Sequence, residues 1–435
     1  MFAFLIIVFG IIGILLSKYY FGKWFNHLSM YTAIWMSMLF LFELRFIRYY
    51  DLSVETWLVI LAAYLGFISG IACIFLARSV FQKDNKISIT PTLRSNLLIY
   101  DAKYLRLIIW LFIIVGLLSA LQHWKVLFDE YGSISNIIIE AHKIYRDRVE
   151  GEQQGVIPYV WLTIYIAIFL GGIYTAYKNK LTITAILPIV ALLIKEIANF
   201  SRAGILVGLF TFIISYTLFR HFLTLQDGNK TDTFKLKNVV AFILIFSLLA
   251  LGASLVKFLR NPVDEMKGAT SSLTKYETGF IISPQIYLYA SAHIGVLNKH
   301  LEEEARAELI GSKTISPIYR FLGSFDIVNK PRYHQKGYFI PQWTNTGTYL
   351  RDIHGDFGYL GVFIIPFLIG LFSTYYWFKF FEGGKIIDHI ILTYLYLLIA
   401  MSFLLWVSSF PSWMVVFLVL LILIPFLEKI FYRSL

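Results

Sequence analysis

The sequence has little of what stabilises a soluble protein. It contains one cysteine, Cys73, in 435 residues, which excludes a disulfide framework, a zinc knuckle and a thiol redox pair. Only 15% of the residues are charged, whereas 58% are hydrophobic and 18% are aromatic. A soluble domain of this length would not tolerate such a surface. Together with the mean hydropathy of +0.69, this composition indicates a protein embedded in lipid.

The sequence also lacks the motifs of common soluble enzymes. It has no Walker-type Gly-rich loop, no G-x-G-x-x-G, no H-E-x-x-H and no G-x-S-x-G. An Asp-x-Asp pair, which would hold a divalent ion against a sugar nucleotide, is absent as well. We therefore expect no nucleotide hydrolysis, no metal site and no cofactor. Any glycosyl transfer would use a donor that needs no metal clamp.

Long hydrophobic runs are what the chain has instead. Eleven apolar stretches approach the length of about 20 helical residues that a hydrocarbon core of roughly 30 Å requires. They are Phe2–Tyr20, Met30–Phe46, Thr56–Ala77, Leu105–Leu121, Ile157–Tyr177, Leu181–Ala198, Ala203–Phe222, Asn238–Phe258, Phe357–Trp377, His389–Leu405 and Trp413–Phe431. The first lacks a basic segment and a small-residue cleavage site, so we expect a retained helix. The pattern predicts an all-α integral membrane protein with about eleven transmembrane helices in one polytopic domain, residues 1–435.

The positive charge indicates an orientation. The formal net charge of +11 lies in short loops between apolar stretches, which favours membrane topology over a nucleic-acid partner. Since Lys and Arg resist translocation, the loops richest in them are predicted to be cytoplasmic, with the N-terminus outside and the C-terminus in the cytoplasm. Two extracytoplasmic loops follow, a moderate one at residues 123–156 and a large one at residues 259–355, before the last three helices. Within the large loop we expect a buried or membrane-dipping helix at Phe280–Leu297, with Pro284 near its start, and a solvated helix at Leu297–Leu309.

Polar residues at the outer ends of helices are the candidates for function, because ionisable groups at membrane depth are expensive and often mark a substrate path. One cluster is a predicted hairpin at residues 195–202, which ends on Arg202 in the first turn of the next helix. A cation is unfavourable there, so Arg202 faces either an anion or lipid headgroups. A second cluster is His142, Arg146 and Arg148 in the moderate loop, where neighbouring acids also fit a charge-balanced solvated loop.

The third cluster is Trp343–Gly361, just before a membrane helix. It is dense in hydroxyl, amide, cationic, imidazole and carboxylate groups, a mixture that an ordinary loop does not need. Its candidate residues are Asn345, Thr346, Arg351, His354 and Asp356. We also expect Asp356 to cap a helix that begins at Phe357.

Three short motifs resemble the Wzy-type polymerases of bacterial surface polysaccharides. They are Ser201-Arg202-Ala203-Gly204, Asn345-Thr346-Gly347-Thr348-Tyr349 and Asp356-Phe357-Gly358-Tyr359-Leu360-Gly361. The number of helices and the large outer loop are similar too. The resemblance implies a metal-independent membrane glycosyltransferase of the bacterial cytoplasmic membrane, with its active site facing the periplasm or the exterior. Such an enzyme moves a growing glycan from undecaprenyl pyrophosphate onto a new lipid-linked repeat unit, for O-antigen, capsule or exopolysaccharide synthesis. Its partners would be the lipid-linked oligosaccharide, as donor and acceptor, the bilayer and a chain-length regulator protein.

The resemblance also suggests roles for the candidate residues. Arg202 would stabilise the leaving pyrophosphate, because a guanidinium binds phosphate in a planar fork and stays charged. Arg146, Arg148, Arg260 and Arg351 are supporting candidates.

The incoming sugar hydroxyl gains from a general base, for which His354 is the first choice and His293 the second. Either histidine could instead be a hydrogen-bonded loop residue. Asn345, Thr346 and Asp356 would contact substrate. In the related O-antigen ligases a histidine is expected in the re-entry region, at a register where this sequence has Asn345, and this difference favours the polymerase.

Two alternatives remain open. One is the ligase, which transfers the finished glycan to a different acceptor. The other is a transporter or flippase of lipid-linked oligosaccharide, for which internal repeats and ionisable residues along a central path are typical.

Overall fold

Helices make up most of the chain. The computed structural model describes residues 2–81, 102–150, 157, 159–226, 270, 284–304, 307–329, 331 and 336–432. The helices are α1 Phe2–Phe21, α2 His27–Glu43, α3 Val54–Phe81, α4 Ala102–Tyr131, α5 Ile134–Ile139, α6 Ala141–Glu150, α7 Thr163–Lys178, α8 Ile183–Ala198, α9 Ala203–Gln226, α10 Pro284–Ser291, α11 His293–Glu302, α12 Ser316–Gly323, α13 Tyr349–Gly383, α14 Ile386–Met401 and α15 Pro411–Tyr432. Two short strands, β1 (Tyr338–Phe339) and β2 (Trp343–Thr344), pair as an antiparallel hairpin.

Six of the described helices are long and apolar enough to cross a membrane. They are Ala3–Phe21, Val54–Val80, Lys103–Tyr131, Val160–Lys178, Ala203–Gln226 and Tyr349–Gly383, and Ile386–Met401 and Pro411–Leu427 are shorter apolar helices. Their outward surfaces expose large apolar side chains such as Phe4, Leu76 and Leu360, which only lipid can cover. The prediction of an all-α membrane protein is therefore confirmed. Ten of the predicted apolar stretches fall on described helices, and Asn238–Phe258 lies outside the described residues; the number of spans stays a prediction.

The helices form two compact units. The first comprises Met1–Ile87, Val263–Trp377 and Leu398–Met414. The second comprises Ser88–Pro262, Phe378–Leu397 and Val415–Leu435.

Glycines allow α3 and α13 to pack backbone against backbone in the first unit. A Cβ atom on Gly70 would lie 2.0 Å from the Phe367 carbonyl oxygen, and one on Gly370 would lie 2.2 Å from the Phe67 carbonyl oxygen. With Gly66, Gly70 forms a small-xxx-small pair, the pattern by which membrane helices approach closely. The backbones of the two helices are therefore in direct contact, and this contact fixes which side of α13 faces α3.

The beginning of α13 differs from the prediction. The helix starts at Tyr349, whose N–H donates to the Ser402 carbonyl at 2.9 Å and whose hydroxyl lies 2.8 Å from that of Tyr31. It is interrupted at Gly358, where φ is 62°, a backbone region that favours glycine. Asp356 thus lies inside the helical run, and its predicted role as the N-cap of a helix from Phe357 is wrong. With the contacts of Tyr349 to Ser402 and Tyr31, helical structure begins eight residues before the predicted start at Phe357.

The large loop contains buried helices. The expected helix near Pro284 is present as α10, and α11 follows after Ala292 with most of its residues buried. The prediction of a solvated helix at Leu297–Leu309 is wrong, because α11 ends at Glu302 and its face contacts other elements. A Cβ on Gly295 would lie 3.3 Å from Ile340 of the hairpin. The acidic residues that suggested a solvated helix stand only at its end.

Candidate functional site

Three polar side chains in the first unit link α11, the β-hairpin and α13. The Tyr338 hydroxyl lies 3.4 Å from Nδ1 of His300, and Nε2 of His300 lies 3.4 Å from Nδ1 of His354. All three residues are at most 4% exposed. We call this set the histidine relay. Both contacts are at the long end of hydrogen bonding.

The relay has two proton arrangements, because each neutral imidazole carries one N–H. In one, Tyr338 donates to His300, His300 donates to His354, and the remaining proton of His354 sits on Nε2. In the other, His354 donates from Nδ1, His300 donates to the Tyr338 oxygen, and Nε2 of His354 keeps a lone pair. Burial raises the pKa of Tyr338, and the Glu303 carboxylate adds to this effect, so the phenol stays neutral. The second arrangement gives His354 the acceptor that a general base needs.

Arg351 is buried beside this relay with an incomplete set of partners. It lies one turn before His354 on α13 and is 3% exposed. Its Nη1 donates to the Asn345 carbonyl at 2.9 Å, and its Nε lies 3.6 Å from the Asp352 carboxylate. Nη2 is buried and makes no hydrogen bond within the described part of the chain. A buried guanidinium with an unused N–H is an unsatisfied group that an anionic oxygen would complete.

His293 joins α11 to the segment before α13. Its Nε2 lies 2.6 Å from the Tyr289 carbonyl oxygen and its Nδ1 lies 3.3 Å from that of Thr346. Burial lowers the pKa of His293, although the two carbonyls act in the opposite direction. The neutral ring therefore donates to one of two backbone oxygens. This geometry suits a positioning residue, and its role as a base stays a prediction.

The predicted contact residues of the third cluster occupy different positions. Asn345 and Thr346 are half-buried and meet Arg351 and His293 through their backbone carbonyls. Asp356 instead accepts hydrogen bonds from the backbone N–H groups of Lys313 and Thr314. The first unit thus brings His293, His354, Arg351, Asn345 and Thr346 into one region. The carboxylate of Asp356 holds a turn of the large loop, and its contact with substrate stays a prediction.

The predicted hairpin with Arg202 belongs to the second unit and is built on a buried ion pair. Lys195 Nζ lies 2.6 Å from Glu196 Oε1, and both side chains are at most 6% exposed. Lys195 Nζ also sits 3.4 Å from the ring centroid of Trp161. The Tyr165 hydroxyl lies 3.1 Å from Glu196 Oε1 and 3.1 Å from the Gly204 carbonyl oxygen. The pair therefore ties the end of α8 to the start of α9.

Arg202 stands at the N-terminal end of α9, and Leu206 N donates to its carbonyl at 3.2 Å. Just before it, Phe200 has φ of 47° and is buried in a small core with Ala141 and Ile144 of α6. The structure thus brings the helix that carries Arg146 against the hairpin that carries Arg202.

Arg146 itself is largely exposed and lies 3.7 Å from Asp147. The Arg148 side chain and all of Arg260 lie outside the described residues. Their predicted contacts with substrate stay predictions.

His300 is the residue that sequence reasoning missed. It follows His293 by seven residues, two helical turns, so a helix places the two rings on one face. That spacing was visible in the sequence, but the acids from Glu302 onwards indicated a solvated helix. Burial of α11 places His300 between Tyr338 and His354.

The chain has no match among protein-family models, curated proteins or solved structures. Among the described residues, no group of three His, Cys, Asp or Glu side chains is arranged to hold a metal ion. The assignment of function therefore depends on the chemistry of these residues.

Proposed function

We propose that this protein is a membrane glycosyltransferase that polymerises undecaprenyl-pyrophosphate-linked oligosaccharide repeat units on the outer face of the bacterial cytoplasmic membrane. The observation that carries the proposal is the buried guanidinium of Arg351, with an unused N–H one helical turn from the histidine relay. An anion site beside a general base is what transfer from a pyrophosphate donor to a hydroxyl requires.

The reaction assigns a task to each group. The acceptor sugar oxygen forms a bond to the anomeric carbon of the donor, and the bond from that carbon to the pyrophosphate oxygen breaks. The electron pair leaves on the pyrophosphate, where the guanidinium of Arg351 stabilises the developing charge. The hydroxyl proton goes to Nε2 of His354, and the resulting positive charge is shared with His300. Arg202 is the second candidate for an anion contact.

The proposed topology puts this chemistry outside the cell. The apolar stretches predict about eleven spans, and the distribution of Lys and Arg predicts an external N-terminus and a cytoplasmic C-terminus. With that orientation the large loop, which supplies His293, His300 and Tyr338, is extracytoplasmic. Lipid-linked repeat units on the outer leaflet would then reach the relay.

The test uses the purified protein in detergent with lipid-linked repeat units and no nucleotide or added metal. A ladder of glycans longer than one repeat is expected by gel electrophoresis. A product that stays at one repeat would refute polymerisation. Transfer of glycan only to a different, added acceptor would favour the ligase.

Arg351→Lys tests the assignment of the anion site. It keeps the charge but removes the planar fork, and loss of one preorganised donor to a transition state lowers kcat by about 10²–10³-fold. Arg45→Lys is the matched control, since Arg45 also donates to a backbone carbonyl, that of Tyr49, and to a carboxylate, that of Asp51. Equal activity of the two variants, with both folded, would remove Arg351 from the site.

A further inference from the structure

The large loop carries an apolar surface that faces outwards. It spans residues 309–327, which we call the 309–327 segment. Its exposed large apolar residues are Leu309, Ile310, Ile315, Ile318, Phe321, Phe325 and Ile327. Phe321, Phe325 and Ile327 are each more than 60% exposed. A surface of this kind marks an interaction site.

Helix α12 forms the centre of this segment, and its apolar side, not its polar side, is exposed. Ile318 and Phe321 lie one helical turn apart and are exposed, as is Phe325 just after the helix ends, whereas Ser316 is buried. Arg320 donates from Nε to the Ser316 hydroxyl at 3.1 Å. The apolar side of α12 is therefore turned away from the first unit, the reverse of a helix that packs on a soluble core.

Hydrogen bonds attach the segment to the outer part of a membrane helix. Thr314 N donates to Asp356 Oδ2 at 2.6 Å, and Trp406 Nε1 donates to the Thr314 carbonyl at 2.8 Å. Ala307 N donates to the Gly355 carbonyl at 2.9 Å. Gly355 and Asp356 lie directly before the break in α13, so the attachment is in the N-terminal part of the candidate membrane span Tyr349–Gly383.

Exposed residues of α13 lie within a few residues of this attachment. Tyr359 and Leu360, which follow the break in α13, are 53% and 70% exposed. The exposed face of α13 belongs to a helix long and apolar enough to span the membrane. The 309–327 segment is thus attached to α13 a few residues before these exposed positions.

We propose that the 309–327 segment is an interfacial membrane anchor, with Phe321 and Phe325 inserted between lipid headgroups and acyl chains of the adjacent leaflet. Aromatic and aliphatic residues of an amphipathic helix occupy this depth. The occupant is the bilayer itself. The anchor would hold the large loop against the membrane surface, and it depends only on the embedding of the chain and not on the glycosyltransferase proposal.

The experiment measures the depth of α12 in vesicles. Cys73, the single cysteine of the chain, is exposed and is first replaced in Cys73→Ala. Phe321→Cys is then labelled with an environment-sensitive fluorophore and reconstituted in phosphatidylcholine–phosphatidylglycerol vesicles. Glu303→Cys is the matched control, because Glu303 is an exposed residue of the same loop that contacts Lys336.

The label at position 321 is expected to lose most of its fluorescence to nitroxides placed near the lipid headgroup, and less to nitroxides at the chain end. The label at position 303 is expected to respond to aqueous iodide instead. Equal iodide quenching at both positions would overturn the proposal. Protection of position 321 from both quenchers would also overturn it, because protein would then cover the surface. A Phe325→Cys label repeats the measurement if Phe321→Cys does not remain monodisperse.

Discussion

Replacing Glu196 with Gln removes one charge of a buried ion pair and keeps the shape of the side chain. Lys195 would remain beside Trp161 with its side chain 6% exposed and without the carboxylate 2.6 Å away. The shape matters because a Cβ on Gly204 would lie 2.3 Å from the Glu196 carboxyl carbon. Glu196→Gln therefore tests the charge without changing this close contact.

The expected destabilisation is about 3 kcal/mol. Removal of one partner from a buried pair leaves an uncompensated charge and typically costs about 3–5 kcal/mol. The lower end applies here, because the amide oxygen of Gln can still accept from Tyr165. Replacing the pair together, as Lys195→Met with Glu196→Gln, also removes the ammonium group that has lost its carboxylate. The double variant should therefore be more stable than Glu196→Gln alone, with a coupling on the order of 2 kcal/mol.

The free energy of unfolding is measured in mixed micelles by titration with a denaturing detergent. Glu303→Gln is the control, because the Lys336–Glu303 pair is exposed on both sides and should show little change. The reasoning is refuted if Glu196→Gln behaves like Glu303→Gln. It is also refuted if the double variant loses as much free energy of unfolding as Lys195→Met and Glu196→Gln lose together when each is measured alone.

Three further predictions concern packing, the relay and pH. Gly70→Ala should lower the free energy of unfolding by about 2–3 kcal/mol, since a backbone oxygen blocks the added methyl group; Gly383→Ala, with nothing within 4 Å, is the control in the same titration. His354→Ala should lower the rate of polymerisation by about 10²–10⁴-fold. If the two histidines act together, adding His300→Ala to this variant should lower the rate little further. Losses in kcat that multiply in the double variant would show that the two histidines act independently. Because burial lowers the pKa of His293 from 6.5, the folded state resists its protonation. Stability should therefore fall as the pH drops below 6.5, and His293→Gln should reduce that fall in thermal melts at pH 7 and 5.

The sequence determines much of the candidate site in the first unit. Residues 345–354 lie close together in the chain, so one turn-and-helix segment supplies Asn345, Thr346, Arg351 and His354. Their polarity before an apolar helix was enough to select them. The seven-residue spacing from His293 to His300 was also present in the sequence. The charged residues that follow it indicated a solvated helix, so the spacing did not identify His300 as a site residue. A local pattern shows which residues share a face, and it does not show what covers that face.

The sequence by itself determined that the chain is helical and embedded in lipid, because apolar runs of spanning length admit few other solutions. It also placed the polar stretches at the ends of those runs. Only the tertiary structure decided that α11 is buried, that His300 joins Tyr338 to His354, and that Asp356 holds the 309–327 segment instead of capping a helix. These contacts join residues distant along the chain, and no periodicity encodes which of them meet. Their geometry is set by how the helices pack, as at the close approach of α3 to α13 at Gly70.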